Sequence, residues 1–194
     1  MAGGTTMKLA YPVALFALLA SSMLTGPASP QPASISWPDA VAQLTGERTK
    51  AETCISLLKK YGDEAQIARA QLTYTNAKAD SDAVIAGLIT ALSVSQKPES
   101  LSTLQTKLGR CISALHEFCE TVSNLIPKTA GQKDTTLGML SIGSMRIISA
   151  MLSDGVSALY NNQRSYDALT RRTIQTQLEA ARWPTFSEVK AAVQ

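Results

Sequence analysis

The sequence predicts an all-α protein, an up-and-down bundle of four to five helices following an N-terminal signal peptide. Three observations carry this. Apolar residues recur at spacings of three and four over three long stretches, the periodicity of one helix face. Alanine is frequent in those stretches and the two-residue alternation of a strand is scarce. Gly62, Pro98 and Pro127 fall between the stretches, where helices end.

With 194 residues, 45% of them hydrophobic and 17% charged, the chain can bury one ordinary core. Its organisation reads as a signal peptide over 1–28, a proline-rich lead over 29–36, a bundle over 37–182 and a tail over 183–194. The formal net charge is only +3, too weak a field for a dedicated nucleic-acid binder, so nucleic acid is not expected as a partner.

The export signal rests on Lys8 followed by the uncharged run Leu9 to Leu24 and the small-residue site Gly26-Pro27-Ala28, with cleavage expected after Ala28. An uncleaved anchor over 9–24 is the alternative. Either way the body of the chain is expected outside the cytoplasm, in a periplasmic or extracellular space. Pro27, Pro30 and Pro32 keep the segment before Ser36 from continuing a helix.

The first helical stretch has Ser36 and Asp39 as capping candidates around Pro38. Its seam is Trp37, Val41, Leu44, Arg48, Ala51, Ile55 and Leu58, and it stops at Tyr61-Gly62. The second, about 63–94, carries Ile67, Ala70, Tyr74, Ala77, Val84, Leu88 and Ala91; its middle, Thr73 to Asp82, is polar and weakly specified. The third is the most regular: Leu101, Leu104, Leu108, Cys111, Leu115, Phe118, Val122 and Leu125 form an unbroken packing seam. Short connections favour antiparallel neighbours.

Thr135 to Ser153 is apolar almost all round, with Arg146 its only charge. Burial among neighbouring helices is the simpler reading. Membrane insertion is the alternative, against which an arginine near the centre costs about 3 kcal/mol. The last helix, about 162–182, is expected to bury Tyr166, Leu169, Ile174, Leu178 and Ala181, with Arg164, Arg171, Arg172 and Arg182 on its basic side. Pro184 then breaks it, and Trp183 and Phe186 either cover the end of the bundle or present a docking surface.

Little in the sequence carries chemistry. His116, Cys119 and Glu120 fall within one helical turn, and with Cys54 they form a weak metal-site alternative that lacks the second histidine of a zinc peptidase. Ser141 and Ser144 lack a nucleophile elbow, and there is one histidine to serve as base. No catalytic residue and no cofactor are expected. In an oxidising compartment the cysteines read as a disulfide plus one thiol. Cys111 and Cys119 lie about 12 Å apart along one helix and cannot bridge each other. Cys54 and Cys119 each stand seven residues before their helix ends, at Tyr61 and Ile126, and flank the seams of parallel helices. That favours Cys54 with Cys119, with Cys54 to Cys111 as the alternative.

The function expected is non-catalytic: binding, or support of an assembly in the envelope, with an unidentified protein partner. Two alternatives stand beside it. One is a membrane-docked protein using the apolar helix 135–153, with a membrane surface as partner. The other is a carrier of a small molecule or metal. The candidate interaction residues are Trp183, Phe186, Arg164, Arg171 and Arg172.

Overall fold

A computed structural model describes residues 35–126 and 142–192; of 142–148 it describes the backbone alone. The signal peptide and most of the lead lie outside the described residues, as do Thr135 to Ser141. Six helices and no strand are present among the described residues: α1 Trp37–Tyr61, α2 Glu64–Leu92, α3 Leu101–Leu125, α4 Ile142–Asn161, α5 Ala168–Ala180 and α6 Phe186–Ala192.

The helix starts are made by short polar side chains. Ser36 donates from its backbone N–H and its hydroxyl to the Asp39 carboxylate. Asp63 accepts from the Gln66 N–H at 2.8 Å while the Gln66 side chain accepts from the Asp63 N–H at 2.8 Å, a reciprocal capping box. Ser100 accepts from the Thr103 N–H at 3.3 Å, and Asp167 from the Thr170 N–H at 2.7 Å.

Two expectations need correction here. The helix expected over 162–182 is shorter: Asn162 to Tyr166 are turns, and the Asp167 cap restarts the chain as α5. Leu169, expected on its apolar side, is 76% exposed. The tail over 183–194 carries a helix of its own. Thr185 and Glu188 form a further reciprocal box, the Glu188 carboxylate accepting from the Thr185 N–H at 2.6 Å and the Thr185 hydroxyl from the Glu188 N–H at 3.2 Å. That box nucleates α6 directly after Pro184, and the helices among the described residues number six where four to five were expected.

The core has two parts. In one, Val41 and Leu44 of α1 meet Val84 and Leu88 of α2, Leu104 and Leu108 of α3, Leu152 and Val156 of α4, and Ile174 and Leu178 of α5. In the other, Ile55 and Leu58 meet Tyr74 and Ala77, Leu115, Phe118 and Val122, and Trp183, Phe186 and Val189 from the C-terminal segment. The α2 and α3 helices run antiparallel: Gly87 lies against Leu104, Asp80 pairs with Arg110 at 2.6 Å, and the rings of Tyr74 and Phe118 are 5.7 Å apart. Gly87 suits this close approach, because a Cβ there would stand 2.3 Å from a terminal methyl of the buried Leu104, which would have to shift. The end of α4 crosses behind α1 and α3, where Gln105 donates to Ser157 at 3.1 Å and the Tyr160 hydroxyl to the Glu99 carbonyl at 2.8 Å. No described helix is long and apolar enough to cross a membrane.

Candidate functional site

The groups with the most distinctive chemistry lie inside the protein. Cys54 of α1 and Cys119 of α3 are joined by a disulfide, with Cα atoms 5.6 Å apart. The alternative partner, Cys111, is free and buried. Burial pushes its thiol up to about 12, the negative charges of Glu47, Asp80 and Asp82 add to this, and a hydrogen bond with Ser81 opposes it. The weak metal alternative loses two ligands to the disulfide, since sulfur bonded to sulfur offers no thiolate. His116 and Glu120 remain together with Nε2 and Oε2 3.9 Å apart, and no group of three metal-ligating side chains occurs among the described residues.

Trp183 and Phe186 are buried around Tyr74. The Tyr74 ring lies 5.8 Å from each of theirs and 5.7 Å from that of Phe118, and its hydroxyl donates to the Pro184 carbonyl at 2.6 Å. Burial, followed by the charges of Glu52 and Asp82, drives the phenol well above its ordinary value, so it stays a neutral donor. These aromatics close one end of the core. Tyr74 falls in the stretch that reads as weakly specified, and its period with Ala70 and Ala77 is the signal that places it inward.

The basic residues behave differently. Three shallow hollows adjoin α5: two lie against the C-terminal end of α2 and the loop that follows it, and the third is lined by α5 alone. The first, about 220 Å³, is lined by Ser93, Val94, Gln96, Arg164 and Arg171 among others. The second, about 320 Å³, carries Ser93, Gln96, Arg172 and Thr176, and the third, also about 320 Å³, carries Leu169, Arg172 and Thr176. Shared residues make them one groove. Arg171 is braced by donating to the carbonyl of Gln163 at 3.3 Å and to that of Arg164 at 3.5 Å. The guanidinium groups of Arg164 and Arg172 make no hydrogen bond or ion pair with the described residues, although both backbone carbonyls accept one.

The one carboxylate lining the groove is Glu179, which Arg182 holds by two hydrogen bonds and keeps below the ordinary glutamate value. Glu99, further along the loop, is taken by Lys107 at 2.8 Å. The groove thus brings together the three arginines expected to form an interaction face. Sequence reading missed Ser93, Val94 and Gln96, the loop side of the groove, because nothing local in a Ser-Val-Ser-Gln run marks it as the wall facing a helix some seventy residues later. No family model, curated protein or solved structure matches the chain.

Proposed function

We propose that this is an exported, non-catalytic protein whose up-and-down helical bundle is a rigid scaffold for binding a protein partner in the envelope or extracellular space. The observation that carries the reading is the groove along α5, where Arg164 and Arg172 project without partners beside the exposed aliphatic side chains of Val94 and Leu169. Arginine beside apolar anchors is the composition of a recognition surface. By contrast, the cysteines and the Tyr74 phenol are withdrawn: two cysteines are bonded to each other, the third is buried with its thiol pushed up to about 12, and the Tyr74 phenol is tied to Pro184.

Export is supported by the leader's charge and apolar run, and a disulfide fits an oxidising compartment. The whole reading is tested on protein recovered from its native host. The mature amino terminus, measured by mass spectrometry, is expected near Ser29. Tagged protein is expected to capture a partner from the envelope fraction that the double variant Arg164→Glu with Arg172→Glu does not. An intact chain in the cytosolic fraction, or a capture profile indifferent to the two arginines, would refute it.

A further inference from the structure

We infer that the α5 groove takes an acidic, extended segment of its partner polypeptide; this rests on the binding reading above and specifies the chemistry that reading leaves open. Four features of the groove lead there. Its length follows α5, whose thirteen residues span about 20 Å at 1.5 Å per residue, a distance that an extended chain covers with about six residues. Its charge is one-sided, with three guanidinium groups and a single carboxylate that Arg182 already neutralises. Guanidinium forks are matched geometrically to carboxylates, so side-chain carboxylates on such a segment meet their strongest available partner at Arg164 and Arg172.

The rest of the lining completes the fit. Gln177 on α5 and Gln96 on the loop present side-chain amides, and Thr173 and Thr176, whose hydroxyls donate to the Leu169 and Arg172 carbonyls, keep oxygen lone pairs, so the backbone of a peptide laid along them finds donors and acceptors. Val94, 85% exposed, and Leu169, 76% exposed, both near the N-terminal end of α5, offer apolar contacts for side chains beside the carboxylates. An anionic membrane surface would also attract the arginines. A bilayer, however, would meet only the rims of these hollows, whereas an extended chain can lie along the amides and hydroxyls that line them. The observations favour the peptide.

The test uses the full mature chain and three probes. They are a fluorescent nine-residue peptide of alternating glutamate and leucine, its counterpart with glutamine for glutamate, and vesicles of phosphatidylglycerol in phosphatidylcholine. The acidic peptide is expected to bind at least about tenfold more tightly than the glutamine peptide, and less tightly as salt rises. The double variant Arg164→Glu with Arg172→Glu is expected to lose about tenfold or more in affinity, with unchanged circular dichroism and melting because both side chains are outside the core. Equal affinity for the two peptides, or a double variant that binds as the parent does, overturns the inference. Vesicle binding without peptide binding overturns it in favour of a membrane. Arginine-dependent capture of an envelope protein, combined with no peptide binding, would overturn the acidic segment while leaving the binding reading in place.

Discussion

The hydroxyl of Tyr74 makes a single hydrogen bond, to the Pro184 carbonyl, and that bond ties the middle of α2 to the turn between α5 and α6. Around it three rings pack edge-on or tilted, with centroids within 5.8 Å, so one residue organises contacts from α2, α3 and the C-terminal segment. The two contributions can be separated. Tyr74→Phe keeps the ring contacts and removes the donor, leaving the Pro184 carbonyl without its partner, and is expected to cost about 1–2 kcal/mol. Tyr74→Ala also opens a cavity among Phe118, Trp183 and Phe186 and is expected to cost about 3–5 kcal/mol. Urea unfolding of the two variants checks both figures. A phenylalanine variant as stable as the parent would mean that the hydroxyl contributes nothing.

At the scale of the helices, glycines with the same local cost have opposite surroundings. Gly46 and Gly109 lie inside α1 and α3, and a Cβ added at either would meet nothing within 4 Å. Alanine there gains helix propensity without a clash, so Gly46→Ala and Gly109→Ala are each expected to stabilise by about 0.5–1 kcal/mol. Gly87→Ala pushes a methyl into Leu104 at the α2–α3 contact and is expected to destabilise by about 1–3 kcal/mol. Thermal melts of the three single variants give the signs directly.

The caps add a pH dependence. The Thr170 N–H holds the Asp167 carboxyl below its ordinary value, and the Thr185 N–H does the same for Glu188. A carboxyl whose folded pKa is depressed contributes stability above its unfolded pKa and loses it as pH falls through the folded value. The melting temperature is therefore expected to decline below about pH 4. Asp167→Asn, which keeps a capping oxygen but cannot titrate, is expected to flatten part of that decline; an unchanged acid limb would remove Asp167 from the account. Much of this level is legible in sequence. The α3 seam from Leu104 to Val122 follows from spacing alone, and Ser36, Ser100 and Gly62 mark helix ends by chemistry that acts within one turn. The C-terminal breaks escaped because they depend on competition between local signals. Arg164 to Leu178 reads as one helix until Asp167 caps a new one, and Pro184 reads as a terminator although Thr185 and Glu188 restart the chain two residues later.

For the whole molecule, the disulfide and the C-terminal helix secure the same half of the core. Cys54 and Cys119 belong to the cluster that also contains Tyr74, Trp183, Phe186 and Val189, while α4 and α5 contribute to the other. Pairing across 65 residues was readable because two helices that run parallel place equal distances from their ends at equal height, and Cys54 and Cys119 stand at equal distances from theirs. The groove was not readable in the same way, since its two walls meet only after α3 and α4 have brought α5 back beside α2. Closing a loop of this length restricts the unfolded chain, an effect of about 4 kcal/mol in the chain-entropy model. Removing α6 acts on the folded state instead, by exposing Tyr74, Ile55 and Leu58. The Cys54→Ala with Cys119→Ala protein is expected to lose up to about 4 kcal/mol while retaining the near-ultraviolet signal of its aromatic cluster. Truncation after Ala181 is expected to abolish that signal and lower stability further. The groove residues lie in the other half of the molecule, so the cysteine variant, at temperatures where it is folded, should keep the parent's arginine-dependent capture. Loss of capture in a folded, disulfide-free protein would show that the two halves are coupled and that the groove depends on the covalent link.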